Sequence, residues 1–274
     1  LQSRFNDFVY EPFVNNYKAG LTPNPCILCN RNIKLGALID FAKEKGMDKL
    51  ATGHYVRIKD GFIAEAKDMS KDQSYFLANV KKENLSFVEF PLGEMFKDDI
   101  KKFASNIKIL EEFSTQKESS EICFVPNTYI EILQKHMNID MPGDVLNLKG
   151  EVVGKHKGYM HYTIGKRRGF SVDGAHTPHY VVSINASKNE IVVGLKDDLN
   201  IKEFKVKDIN MFIDEKDFEC SVKIRYRSPK SECSVHVEDN MATVKLYENV
   251  QGLAAGQMAV FYRDDKVIGG GWIE

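Results

Sequence analysis

Leu50-Ala51-Thr52-Gly53-His54-Tyr55-Val56 reads as a short buried strand that runs into a glycine turn. A helical pattern from Pro25 to Gly46 precedes it, and another apolar helical stripe lies over residues 1–20. Helix–strand alternation of this kind predicts a parallel α/β sheet with ligands at the C-terminal ends of its strands. Gly53 and His54 sit at such an end. A histidine there serves local hydrogen bonding more often than catalysis.

Immediately upstream stands Gly20-Leu21-Thr22-Pro23-Asn24-Pro25-Cys26-Ile27-Leu28-Cys29-Asn30. Asn24 can cap a helix, and Pro25 suits its first position, where a missing N–H costs nothing. Ile27, Leu28, Ile33, Leu35, Leu38, Ile39 and Phe41 continue at roughly helical spacing, and Gly46 is a stop. Cys26 and Cys29 then share one face of the first turns, where free N–H groups and the helix dipole favour a thiolate. The alternatives are a structural zinc half-site or two buried core cysteines. Further upstream, Phe5, Phe8, Val9, Phe13, Val14 and Tyr17 form a stripe that ends near Gly20.

Downstream, Lys71-Asp72-Gln73-Ser74-Tyr75-Phe76-Leu77 predicts another helix, with Asp68 and Ser70 as possible caps. Its Lys71, Asp72 and Gln73 are either a solvated first turn or a cation, an acid and an amide offered to a ligand. Residues 94–112 form a charged amphipathic segment with Ile100, Phe103, Ile107 and Leu110 facing inward. Residues 117–126 are a polar loop that delivers Cys123 into a short apolar strand. One more capped helix runs from Asn127 to Met137.

Beyond it the helices largely stop. From Pro142 onward short alternating strands are separated by turn signals at Pro142-Gly143-Asp144, Lys149-Gly150, Asp173-Gly174, Asn185 to Lys188 and Asp239-Asn240. The predicted fold is α/β + β. Residues 1–138 are the C-terminal part of a Rossmann-like parallel α/β domain, 139–200 a small β-rich domain, and 201–274 a C-terminal β-barrel.

A chain of 274 residues with 43% hydrophobic and 28% charged residues is that of a globular protein with about two or three domains. The net charge of −1 gives no bulk attraction to nucleic acid, so any such binding must come from local patches. No apolar run approaches membrane-spanning length, and there is no signal-peptide pattern. Five cysteines, an odd count, argue against a disulfide framework and for a reducing cytoplasm. Leu1-Gln2-Ser3 contains no initiator methionine, and the chain reads as a piece of a longer protein. Two basic clusters, Lys155 to Gly169 and Lys223-Ile224-Arg225-Tyr226-Arg227, mix cations with aromatic rings, as RNA binding does. On a strand, Arg225 and Arg227 would share a face. The alternative is a solvated strand face.

Thr22-Pro23-Asn24-Pro25 with Cys29-Asn30 and Ile33-Lys34, then Ala51 to Tyr55, Lys71 to Leu77 and Ile122-Cys123-Phe124, closely resemble the bacterial tRNA-specific 2-thiouridylase family. So do Tyr162 to Gly169, Arg225-Tyr226-Arg227, Gly256 to Tyr262 and Gly269-Gly270-Gly271. The resemblance runs from about residue 12 to Glu274. It implies replacement of O2 of a tRNA wobble uridine by sulfur, with ATP (and Mg2+) adenylating the oxygen and a protein persulfide attacking C2. By match of motif, Cys123 carries the persulfide and Cys29 is the partner thiol. Asn24, Pro25 and Cys26 would line the uracil pocket, and Gly53 would lie by the nucleotide. His54, Lys71, Asp72, Gln73, Arg225, Tyr226 and Gln257 match positions that touch tRNA. The implied partners are tRNA and a sulfur-relay protein or cysteine desulfurase.

Two departures stand out. Position 26 is aspartate in some relatives, which puts an acid's role there in doubt. The family's Ser-Gly-Gly-x-Asp-Ser ATP loop is nowhere in the 274 residues. The expectation is that this loop and the first strand lie upstream of Leu1, and that the chain alone is inactive. A second reading is a zinc-stabilised RNA-binding module without catalysis, with Cys26, Cys29, Cys123 and one histidine as ligands. A third, a thioredoxin-like oxidoreductase, is at odds with the long β tail.

Overall fold

The computed structural model describes residues 1–115, 122–125 and 127–274. Residues 2–18 form one helix, α-helical at Gln2–Phe5 and Glu11–Lys18, with a wider π stretch at Asn6–Tyr10 between them. The π stretch shifts the side-chain register. Val9, Phe13, Val14 and Tyr17 are buried, whereas Phe8 falls off the predicted stripe and is exposed. The chain reverses at Gly20, which has φ +77°.

The cysteine helix, residues 25–44, also contains a π stretch but is kinked at Leu35, where φ −109° and ψ 20° leave the helical region. Pro25–Cys29 and Leu38–Glu44 are α-helical and flank a π stretch at Asn30–Ala37. Within it a Cβ on Gly36 would lie 2.6 Å from the Arg31 carbonyl oxygen, too close for any side chain. Gly46, at φ +69°, stops the helix as predicted.

The parallel ladder exists but is short. Strand β1 (Leu50–Ala51) pairs in parallel with β4 (Val88–Glu89), and the predicted strand over 50–56 does not continue past Ala51. The chain instead leaves the ladder and folds into a hairpin of β2 (Val56–Lys59) and β3 (Phe62–Glu65), turning at Asp60-Gly61. Residues 71–77 are no regular helix. Only Ser74–Leu77 forms a 3-10 turn, because the buried Asp72 carboxylate accepts the N–H groups of Ala66 and Ser74. In the helix Lys97–Ser105 only Ala104 is buried, and Phe103 is 61% exposed, so the predicted inward face does not pack there. Around Cys123 the predicted strand is a tight turn, with the Val125 N–H donating to the Ile122 carbonyl. Residues 117–121 and Pro126 of the predicted loop lie outside the described residues. The next helix, Tyr129–Gln134, is shorter than Asn127 to Met137.

A four-stranded sheet follows, with β5 (Gly143–Leu146), β6 (Val152–His156), β7 (Tyr180–Asn185) and β8 (Glu190–Gly194) in the order β6-β5-β8-β7. Pro142-Gly143-Asp144 opens β5 and is not a turn. A Cβ on Gly143 would sit 2.0 Å from the Asn189 carbonyl oxygen, so glycine there serves close approach of two backbones. The last six strands are β9 (Asn200–Met211), β10 (Asp217–Lys223), β11 (Ser231–Glu238), β12 (Met241–Gln251), β13 (Met258–Arg263) and β14 (Lys266–Ile273). They run β9-β12-β11-β10-β13-β14 and close through β14 pairing with β9, giving a six-stranded barrel without free edges. β10 ends at Lys223, so Arg225 and Arg227 stand on a turn and not on a strand face.

The architecture is mixed α/β with a β-barrel, and its parts share cores. The β2–β3 hairpin joins the barrel sheet, with Ala64 opposite Lys266. Ile27, Leu35 and Ile39 of the cysteine helix are buried in one cluster with Met258, Val260 and Tyr262 of the barrel. Phe13, Val14 and Tyr17 of the first helix pack with Ile132, Leu133, Val145 and Val181.

Candidate active site

The lead-in to the cysteine helix is held by the barrel. The Thr22 N–H donates to the Ala255 carbonyl at 2.9 Å, and Gln257 Nε2 donates to the Thr22 carbonyl at 2.8 Å. Gly256, at φ +87°, makes this approach possible, since a Cβ there would meet Leu21 Cβ at 3.0 Å. Asn24 makes no side-chain bond to the helix it precedes, contrary to the predicted cap. Its side chain bonds to Tyr75, whose hydroxyl donates to the Met258 carbonyl at 2.7 Å. Pro25 occupies the first helical turn, as predicted.

Three thiols converge from two segments. Cys29 is 9% exposed and packs with Val9 and Ile33, against Phe5 and Phe124. Phe124 thereby brings its neighbour Cys123, which is exposed, to the cysteine helix. Cys26 is half-buried and within electrostatic reach of both other thiols. Burial pushes the Cys29 thiol up, Lys34 pulls it down, and Cys123 adds to the rise. Burial likewise raises Cys26, with Cys123 adding to it and Lys34 opposing. The expected thiolate at a helix start is therefore offset by burial, and the α-helical segment there has only five residues.

His54 is 9% exposed, and burial and then the charge on Lys34 lower its pKa to about 4. The ring is neutral at pH 7, shares a 2.8 Å hydrogen bond with Thr52 Oγ1, and sets its edge against Phe90. Lys34 acts on His54, Cys26 and Cys29 alike and belongs to the site, although no chemistry had been assigned to it from the sequence. Its one signal there was its place in Ile33-Lys34. Asn30 is also buried. Its Nδ2 donates to the Phe76 carbonyl at 3.0 Å, while Oδ1 has no partner among the described residues.

The other sequence-derived residues do not gather around the thiols as one set. Asp72 accepts from the Ser74 hydroxyl at 2.7 Å as well as from two backbone N–H groups, and Gln73 Oε1 accepts the Tyr55 N–H at 2.9 Å. Lys71 sits in the preceding turn, its N–H donating to the Asp68 carbonyl. Arg225 Nη2 donates to the Gly252 carbonyl and, at 3.2 Å, to the Ile164 carbonyl. Tyr226 packs on Phe76 with ring centroids 4.4 Å apart. The Asp72 and Lys71 contacts are local turns, whereas those of Arg225 and Tyr226 brace one part of the molecule against another. In the first basic cluster Lys166 Nζ donates to the His161 carbonyl and lies 5.2 Å from the Tyr162 ring centre, while Arg167 and Arg168 are exposed. Among the described residues no three His, Cys, Asp or Glu side chains are placed to hold a metal ion, so the proposed zinc ligands do not form a set.

Comparison with known proteins fits this division. Residues 1–127 match the model of a tRNA methyl transferase HUP domain, 130–195 that of a tRNA methyl transferase PRC-barrel domain, and 201–273 that of an aminomethyltransferase beta-barrel domain. The chain is 61% identical to the tRNA-specific 2-thiouridylase MnmA of Campylobacter concisus, over 100% of its own length and 81% of that protein. It is 60% identical to the protein of that name from Campylobacter fetus, at the same coverage, and 53% identical to that of Nitratiruptor, over 98% and 79%. The chain belongs to the tRNA-specific 2-thiouridylase family. The HUP-domain match starts at residue 1 and gives no support to an ATP loop placed upstream of Leu1, or to inactivity of the chain without one. No helix among the described residues is long and apolar enough to cross a membrane.

Proposed function

We propose that the protein is a tRNA-uridine 2-sulfurtransferase in which Cys123 carries the transferable sulfur and Cys29 resolves it. The observation that carries this reading is the convergence of Cys29 with Cys123, through Phe124, in a chain whose relatives bear the thiouridylase name. The family models carry a methyl-transfer description instead, but methyl transfer would leave the converging thiols without a role. Exposure suits Cys123 to accept sulfur from a relay protein or cysteine desulfurase, and burial keeps Cys29 out of reach of that donor. The terminal sulfur of the Cys123 persulfide bonds to C2 of the activated uridine as the C2–oxygen bond breaks. Cys29 then attacks Cys123 Sγ. A Cys29–Cys123 disulfide forms, the bond between Cys123 Sγ and the transferred sulfur breaks, and the electron pair leaves on the thiolated uracil. An external dithiol must reduce the disulfide before the next turnover.

ATP, in the family's chemistry, would activate O2 of the uridine by adenylating it, so that the oxygen leaves with AMP. Among the residues matched to the family's motifs, Gly53 is the one assigned to the nucleotide. A Cβ there would meet only Leu92, at an ordinary 3.8 Å, so glycine leaves an open face beyond β1. That face fits the edge of a nucleotide, but the chain has no Ser-Gly-Gly-x-Asp-Ser loop for a triphosphate. In this reading Asn24, Pro25 and Cys26 line the uracil pocket, and tRNA runs over His54, Lys71 to Gln73, Arg225, Tyr226, Gln257 and the exposed cations of the middle sheet. The divisions 1–138, 139–200 and 201–274 stay part of the same proposal.

The test is a single turnover on persulfide-loaded protein, followed by mass spectrometry of unreduced peptides. A Cys29–Cys123 disulfide appearing with 2-thiouridine is the expected result. A Cys26–Cys29 disulfide in its place, with Cys123→Ser still active, would overturn the assignment.

A further inference from the structure

Lys34 lies five residues beyond Cys29, inside the π stretch Asn30–Ala37. A π turn bonds each N–H to the carbonyl five residues back, so Lys34 stands one wide turn from Cys29 on the same side of the helix. The residue before it, Ile33, is buried against Cys29, and the residue after it, Leu35, is buried in the shared core with the barrel. Lys34 itself is exposed at the rim between them. Its ammonium has no carboxylate partner among the described residues, whereas Lys230 is paired with Glu65 and Lys266 with Asp60.

The groups that feel this ammonium come from two segments, Cys26 and Cys29 of its own helix and His54 of the loop after β1, while Cys123 of the turn 122–125 acts on both helix thiols. Lys34 favours the anionic form of both helix thiols and disfavours the cationic form of His54. His54 thus stays neutral and does not compete for the sulfur anion, and among the described residues Lys34 supplies the opposing charge. Burial works against the ionised sulfur of Cys29, so a nearby cation decides how much thiolate exists at neutral pH.

We propose that Lys34 is a positioning residue for sulfur transfer, its ammonium holding the Cys29 sulfur as the anion that attacks Cys123. This rests on the sulfurtransferase reading for its purpose, but the electrostatic link can be tested without tRNA. The intact protein and its Lys34→Gln and Lys34→Arg variants would be alkylated with iodoacetamide across the pH range, each cysteine being followed by peptide mass spectrometry. In Lys34→Gln the pH midpoint for Cys29 should move up, cutting its rate near pH 7.5 by about 3- to 10-fold, since one pH unit is tenfold in thiolate. Lys34→Arg should keep the parent profile within about twofold, because it keeps the charge. The His54 titration, followed by NMR, should move up in Lys34→Gln. Thiolation by Lys34→Gln should fall near neutral pH and recover at higher pH, which loss of a packing role would not produce. Unchanged Cys29 and His54 titrations in folded Lys34→Gln would overturn the proposal, as would an equal shift in Lys34→Arg. Absence of thiolation by the parent protein would count against the sulfurtransferase reading alone.

Discussion

The molecule holds two groups of cysteines, and the tighter one is the one wholly buried. Cys220 and Cys233 face each other across β10 and β11 with their sulfurs 3.6 Å apart, both buried in the barrel core. The hydrogen bond to Cys233, and then burial, drive the Cys220 thiol far above its ordinary range. Cys26 and Cys29 share one helix, Cys123 comes from a separate turn, and the three range from buried to exposed, with a lysine beside two of them. On the proposed reading, closeness of sulfur to sulfur does not mark the reactive site. Access and a neighbouring cation do.

The largest expected effect sets the two groups directly against each other. Cys29→Ser and Cys123→Ser should each reduce tRNA thiolation to background, while Cys26→Ser, Cys220→Ala and Cys233→Ala keep most of it. Loss of activity in a folded Cys233→Ala protein would break the contrast. Next comes labelling under native conditions. Cys123 should react with iodoacetamide about 1,000-fold or more faster than Cys233, whose exposure requires opening of the barrel at a cost of several kcal/mol. Comparable rates would mean that the barrel thiols are accessible after all.

A smaller effect reports on the polar surroundings of the first group. With a folded pKa of about 4 against roughly 6.5 unfolded, His54 binds its proton more tightly in the unfolded chain. Its contribution is whole above the unfolded value and disappears as pH falls toward 4, a loss of about 3 kcal/mol at most. Urea melts at a series of pH values should show this slope, and His54→Gln should flatten it. The smallest difference is structural. Cys233→Ser, which puts a hydroxyl into the barrel core, should cost about 2 kcal/mol, and Cys26→Ser less than about 0.5 kcal/mol. Equal costs in denaturant melts would erase the distinction in burial.

Much of this was legible in the sequence where periodicity and glycine carry the signal. The two N-terminal helices, the stop at Gly46 and the run of C-terminal strands follow from patterns that need only local geometry. Residues 71–77 were misread because Asp72 takes the N–H groups a helix would need, and its burial depends on the barrel residues Tyr262 and Lys223 near it. Arg225 and Arg227 alternate like a strand, but β10 ends before them, and Arg225 turns inward to the Gly252 and Ile164 carbonyls. At the site, the cysteine pair was readable from spacing. The π stretch that sets Lys34 beside it was not, because the extra residue in a turn leaves no mark in apolar periodicity.

The bond from Gln257 to Thr22 spans 235 positions of sequence. During synthesis at about 5–20 residues per second, the cysteine helix would leave the ribosome roughly 10–50 s before its anchor exists. Until then nothing from the barrel fixes the direction in which Pro25 to Cys29 enter the fold. The nascent chain thus carries the lead-in to its two helix thiols without this anchor for most of its synthesis, and gains it only when Gln257 has been made.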